Sequence, residues 1–291
     1  MRKIALTFSA LFLFWSLGGQ IVDQEDAPGP LDEEPGEGWI IGGSFSLGAS
    51  QVSLNNWMAG GESSIAGNAV MNFAAEYRIR NVIWTSTVDI GYGIQRRGAE
   101  DIRKTDDRVH ILTKHGRRIS ENLYYSQLLD FRTQMTPGYD YPDDQTVISN
   151  FLSPGYLVGA IGFDYRPIPN LALFAGPATG KLTMVMDQQL ANQGAFGVEP
   201  GENYRFEFGG YIRADYRINL REDILLQAKL DLFSNYLQDP LIPDVNFEGL
   251  LIMSITRFIS ASVGIHLIYD QDMIDVIQYK QLLTLGLSYN F

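Results

Sequence analysis

Twelve stretches of this chain alternate apolar and polar residues, and the connections between them are by turns tight and long. The stretches fall near residues 39–54, 64–78, 82–95, 106–115, 122–135, 155–166, 171–185, 203–217, 222–236, 244–256, 258–270 and 279–291. Successive side chains of a strand point to opposite faces, so each stretch predicts a strand with one greasy and one polar face. Tight turns are expected at 78–81, 116–121, 167–170, 218–221 and Arg257, with longer links at 55–63, 96–105, 136–154, 186–202, 237–243 and 271–278. Outer-membrane barrels keep short turns on the periplasmic rim and long loops outside. A soluble sandwich has no reason to alternate so regularly. The pattern therefore predicts an all-β fold, an antiparallel transmembrane β-barrel of about 12 strands. Ten or fourteen strands would follow if a weak strand fails or a long link hides a hairpin.

The last stretch is the clearest. From Tyr279 to Phe291 the odd positions read Tyr, Gln, Leu, Leu, Leu, Tyr, Phe and the even ones Lys, Leu, Thr, Gly, Ser, Asn. A tilted strand needs about 9–11 residues to cross a bilayer, with aromatics at both interfaces. Tyr289 and the terminal Phe291 fit the closing strand of such a barrel and the signal by which barrel-assembly machinery takes it up.

The chain opens Met1-Arg2-Lys3, followed by an apolar run from Ile4 to Leu17 and then Gly18-Gly19. A cationic start, a short apolar core and small residues predict a secretory signal peptide over 1–19, and hence export to a Gram-negative outer membrane. Residues 20–38 hold seven acids, no base, and several Pro and Gly, which predicts a solvated spacer or an acidic docking arm. The barrel then takes residues 39–291. There is no cysteine, so neither a disulfide nor a lipidated cysteine is available. A net charge of −12 and a mean hydropathy of −0.06 look soluble, but barrel strands hide their hydrophobicity by alternating it. No basic patch for nucleic acid is present. The short rim instead collects Arg78, Arg80, Arg117, Arg118, Arg166, Arg217, Arg221 and Arg257, suited to anionic headgroups of membrane lipids.

Face assignment decides what lies inside. On the eighth strand Tyr204, Phe206, Phe208 and Ile212 oppose Arg205, Glu207, Arg213 and Asp215; on the ninth, Leu226, Leu230 and Leu232 oppose Lys229 and Asp231. A charged side chain on the lipid-facing midplane costs about 2–4 kcal/mol, so the charged faces are assigned to the lumen. By the same phase Asp89, Arg108, His110, Asp130, Arg132 and His266 join them. Twelve strands about 4.8 Å apart and tilted by about 40° give a backbone radius on the order of 12 Å, which inward side chains largely fill. Both signs of charge in so narrow a space predict pairing. The lumen is then either a polar plug or a selective small-solute path; an open general porin needs about 16–18 strands.

Enzyme chemistry finds little support. A barrel lipase needs Ser and His on the lipid side, and a rim protease needs His with acids at the loops; His110 and His266 are assigned to the lumen and His115 to the short rim. No phosphate-binding glycine motif, metal-spaced cluster or GxSxG is present, and neither cofactor nor metal is expected. The functional expectation is a structural or small-solute transport barrel, with surface binding or assembly through the loops and acidic tail as the alternative.

Two loop regions carry a family resemblance. One is Asn55-Asn56-Trp57-Met58-Ala59-Gly60-Gly61-Glu62-Ser63 and the other Phe131-Arg132-Thr133-Gln134-Met135-Thr136-Pro137-Gly138-Tyr139, followed by Phe151-Leu152-Ser153-Pro154-Gly155-Tyr156. With Leu232-Phe233-Ser234-Asn235-Tyr236 and Tyr269-Asp270 they resemble the Bacteroidota family grouped as domain of unknown function 3078, over about 39–291. The resemblance implies an outer-membrane barrel-like protein and supplies no activity or catalytic residue. Physically, Gly60 and Gly61 free the backbone for Asn56 and Trp57 to fold over the barrel mouth as a lid or to contact a ligand. Tyr139 and Tyr141 in the longest loop are placed to cap the lumen or to offer an outward surface.

Overall fold

A computed structural model describes residues 37–54, 62–238 and 240–291, apart from the side chain of Asn290. The signal peptide, nearly all of the acidic tail, and Asn56, Trp57, Gly60 and Gly61 lie outside the described residues.

The strands are β1 (Gly38–Val52), β2 (Ser64–Ile79), β3 (Val82–Arg97), β4 (Arg103–Ser120), β5 (Leu123–Thr133), β6 (Gly138–Tyr139), β7 (Val147–Ser149), β8 (Gly155–Ile168), β9 (Leu171–Met184), β10 (Tyr204–Arg221), β11 (Ile224–Asn235), β12 (Asp244–Ser254), β13 (Ile259–Asp270) and β14 (Ile274–Asn290). Twelve of them close into one antiparallel barrel in the order β1-β14-β13-β12-β11-β10-β9-β8-β5-β4-β3-β2. Strands β6 and β7 pair apart from it, inside the longest loop. Each of the twelve alternating stretches is a barrel strand.

Four of the short turns are tighter than the sequence indicated, at 80–81, 121–122, 169–170 and 222–223, while the fifth, expected at Arg257 alone, widens to 255–258. Strands β4 and β10 run on to Ser120 and Arg221, through the charged residues read as turns. A long cationic side chain is accommodated at a strand end, where its head group can reach water or an aromatic ring. Arg118, for example, lies over the Tyr124 ring at 5.6 Å and donates to its hydroxyl at 3.2 Å. On the other rim the expected link 271–278 shrinks to 271–273, because Ile274 to Gln278 extend β14.

The exterior is an apolar belt. Leu283 is 72% exposed, and Leu285 and Leu287 are each 60% exposed, while Tyr279 and Tyr289 stand at the two ends of the same face. Water would penalise so much bare hydrocarbon, whereas a bilayer accommodates it, and closure leaves no sheet edge running the height of the barrel. This is a transmembrane type of barrel.

One seam differs from the rest. Strand β1 pairs with β2 along its whole length, from Gly38↔Arg78 to Val52↔Ser64, but with β14 only from Ser44↔Asn290 to Gly48↔Gly286. Below that ladder, Gly43 and Phe291 exchange both backbone hydrogen bonds, at 2.8 and 3.0 Å. The Phe291 ring lies over Gly43 so closely that a Cβ there would meet it at 2.6 Å. Phe291 also stacks on Tyr289, with ring centroids 6.3 Å apart.

Candidate functional site

The alternation that turns leucines outward turns charges inward. At mid-height, Asp130 on β5 is 2% exposed and meets His110 Nε2 at 2.7 Å, Arg132 Nε at 2.8 Å and Arg213 Nη1 at 3.6 Å. Asp231 on β11 accepts from Arg132 at 2.5 Å, from Arg213 at 3.0 Å and from the Tyr211 hydroxyl at 2.6 Å. Arg213, 2% exposed, also holds Asp215 at 2.8 Å. Asp89 on β3 reaches Lys229 at 3.4 Å and His110 at 3.9 Å. Several of these pairs join strands that are not neighbours in the sheet, so the bonds cross the lumen: β5 to β11, β5 to β10, β3 to β11.

Two further clusters flank that lattice. Toward the loops, Lys181 sits between Asp244 at 2.5 Å, Glu207 at 3.5 Å and Asp270 at 3.6 Å, and Arg205 bridges Glu207 at 3.3 Å and Asp272 at 2.7 Å. Toward the turns, Lys114 meets Asp164 at 2.7 Å, and Arg166 shares that carboxylate at 3.2 Å. Arg108 stands apart, half exposed and 3.8 Å from Asp106, which itself pairs with Lys280 of β14. His266 bonds Asn246 at 2.6 Å and lies opposite Glu248, which on its other side faces Lys229 of the lattice. Among the described residues no group of three His, Cys, Asp or Glu is placed to hold a metal ion.

The rest of the inner wall is different in kind. Along the middle of β14, β1 and β2 the inward residues are mostly small and neutral, with Ser44 bonded to Asn72 at 3.3 Å, Asn68 to Thr284 at 3.4 Å, then Ser46, Gly48 and Ser288, while the charged Lys280 and Glu76 lie nearer the two rims. Where the lattice half is buried, the side chains of this half remain partly exposed. The lumen is lopsided.

Lys114, Asp164, Lys181, Tyr211 and Asp244 take part in the interior without having been singled out in the sequence, and Asp270 was noted only as part of a family motif. Tyr211 and Lys114 share the phase of Arg213 and His110, so the signal was there. Lys181 was hidden. On β9, Phe174 points inward, but the ladder slips between Gly176 and Thr179, so Thr179, Lys181 and Thr183 point inward on the opposite phase. Pro177 sits in that bulge, where a missing N–H costs no ladder bond.

Above the barrel, the loops 134–154 and 185–203 make an ordered cap. Its small core is Val185, Leu190, Ala191 and Val198, joined by Val147, Ala195 and Phe196. Asp187 caps the short helix α1 (Gln188–Asn192), accepting from Gln189 N–H at 3.0 Å and Leu190 N–H at 3.3 Å. The Asn150 amide donates to the same carboxylate at 3.1 Å, and this bond, ahead of the helix amides, holds its pKa below the usual range. Asp107 pins the other root of the cap by accepting from Met135 N–H at 2.8 Å and Thr136 N–H at 2.9 Å. Tyr139 lies in β6, 6.1 Å from the Tyr141 ring, and Arg103 covers Tyr141 at 5.1 Å.

Part of the chain has a counterpart among known families. Residues 49–139 match the family described as Protein of unknown function (DUF3078). The match takes in the stretches 55–63 and 131–139, whereas 151–156, 232–236 and 269–270 lie beyond it. No curated protein matches the chain. Among solved structures it is similar to the translocator domain of autotransporter NalP from Neisseria meningitidis, at 11% identity, covering 90% of this chain and 91% of that one, with a TM-score of 0.37. It is also similar to the COG4313 outer membrane channel from Pseudomonas putida F1, at 11% identity, 91% and 99% coverage and a TM-score of 0.41. The NanC porin follows at 7% identity, 85% and 96% coverage and a TM-score of 0.38.

Proposed function

We propose that this chain is an outer-membrane barrel whose lumen is shut by cross-barrel ion pairs, and that it serves as a rigid membrane-embedded support for the ordered cap. The observation that carries this reading is the burial of Asp130, Arg213, Asp231, Lys114 and Lys181. A water column running past these side chains would leave them exposed. Buried ions instead hold one another, and removing one partner of such a pair costs about 3–5 kcal/mol. The N-terminal segment is the export signal in this reading, and Tyr289 with Phe291 is the contact for the barrel-assembly machinery.

A second reading rests on a separate observation, the partly exposed neutral wall of β14, β1 and β2. A narrow path along it suits a small uncharged solute, with the Lys280–Asp106 pair lying across the lumen between β14 and β4.

Single-channel recording of the refolded mature chain in a planar bilayer separates the two. The support reading expects a silent wild type and a leaky Lys229→Ala/Asp89→Asn variant, which removes both members of one crossing pair. Steady wild-type conductance that rises in Lys280→Ala would replace the support reading with the solute path.

A further inference from the structure

The lipid-facing side of the β1–β14 seam is not smooth. Phe45 and Leu47 of β1, Leu287, Ser288 and Tyr289 of β14, and Phe258 line a groove of about 330 Å3. Its walls are almost wholly apolar, and it opens outward, not into the lumen. Phe258 belongs to the turn 255–258, so the groove ends at the short-turn rim.

That turn is held in place. Ser288 N–H donates to the Phe258 carbonyl at 2.8 Å, tying the turn to β14. Thr256 Oγ1 accepts from the Phe258 and Ile259 amides at 3.3 and 3.1 Å, fixing the loop that carries Arg257. The Arg257 guanidinium lies over the Phe258 ring, 5.2 Å from its centroid. An exposed cation therefore stands at the mouth of an apolar groove, at the height where a bilayer changes from hydrocarbon to headgroup.

We propose that this is a binding site for one glycerophospholipid of the short-turn leaflet, with its phosphate on Arg257 and an acyl chain in the groove. A guanidinium donates two parallel bonds to a phosphate, and a chain in the groove replaces disordered lipid against Phe45, Leu47 and Leu287. The position gives the lipid a task. The groove runs along the only part of the β1–β14 seam that is paired among the described residues, so the bound chain braces the barrel at its shortest ladder. The proposal rests on the membrane reading above.

The test uses the mature chain refolded into phosphatidylcholine vesicles doped with phosphatidylglycerol, then extracted in mild detergent and weighed by native mass spectrometry. Wild type is expected to emerge with one retained phospholipid. Leu47→Trp, which fills the groove, and Arg257→Ala, which removes the phosphate contact from an exposed turn, are each expected to lower retention by about tenfold. Arg221→Ala, beside another short turn where Arg221 pairs with Asp223, is the matched control and retains lipid as wild type does. Wild type without lipid, Leu47→Trp with full retention, or equal loss in Arg221→Ala would each overturn the site. A dimer whose interface covers the groove would overturn it too. Vesicle flotation separates the levels: a chain that does not float with vesicles defeats the membrane reading itself, whereas one that floats but retains no lipid defeats only this proposal.

Discussion

Asp187 shows how one side chain organises the cap. It ends the run out of β9, accepts the first free amides of α1, and takes a third bond from Asn150 in the neighbouring loop. All three bonds favour the ionised carboxylate, so its folded pKa lies below the unfolded one. Stability from such a group is present above the ordinary carboxylate pKa and is lost as pH falls through the lowered folded value. Amide exchange at Gln189 and Leu190, corrected for intrinsic rates, is therefore expected to stay slow at neutral pH and to quicken on acidification. In Asp187→Ala it should be fast at every pH, with the cap weakened by about 1 kcal/mol, the usual worth of a helix N-cap. Protection in Asp187→Ala equal to wild type would show that the small apolar core alone holds α1. Cap and lattice differ in this respect: Asp187 is replaceable at modest cost, while Asp130 and Asp231 are each held by several partners and are not.

Among the elements, the β1–β14 seam is where geometry and membrane physics pull apart. Unpaired backbone groups in hydrocarbon cost several kcal/mol each, yet β14 above Gly286 has no β1 partner among the described residues, although β1 remains a strand to Val52. The mutual bonds of Gly43 and Phe291 make that a hydrogen-bonded pair, so Ser46↔Ser288 is a non-hydrogen-bonded pair, with Cα atoms about 4.5 Å apart. A disulfide fits that spacing, and the chain has no cysteine to interfere. Ser46→Cys/Ser288→Cys should cross-link on mild oxidation, whereas Ser50→Cys/Thr284→Cys, which an unbroken ladder would also align, should not. Cross-linking of both pairs would mean the seam closes to the top. None of this was readable from the sequence, which marks β1 and β14 as strands but says nothing of how far two ends of a chain stay paired. The strands themselves were legible because alternation is local. The β9 bulge was not, since Gly176 and Pro177 look like ordinary strand interruptions until the partner strands reveal the slip that turns Lys181 inward.

At the scale of the whole molecule the two unequal halves meet in one barrel, and their difference is measurable. From β3 through β5, β9, β10 and β11, ion pairs cross the lumen and most of their carboxylates are buried; along β14, β1 and β2, short hydroxyl and amide side chains leave the wall partly exposed. Buried charges resist separation because parting them exposes each to a medium that cannot solvate it, so strands joined across the lumen should open together and rarely. Among the described residues the strands of the neutral half carry no such ion pair beyond Lys280–Asp106, and their ladder is incomplete at the seam. Hydrogen exchange of the lipid-reconstituted barrel, resolved by peptide, is expected to be slowest in β5, β10 and β11 and fastest in residues 49–54 and the upper part of β14. Weakening the lattice with Lys229→Ala/Asp89→Asn should speed exchange in β3 and β11 together while leaving residues 49–54 as they were. If exchange were instead uniform around the barrel, the backbone ladders alone would be setting its rigidity, and the charged interior would be filling space without bracing it.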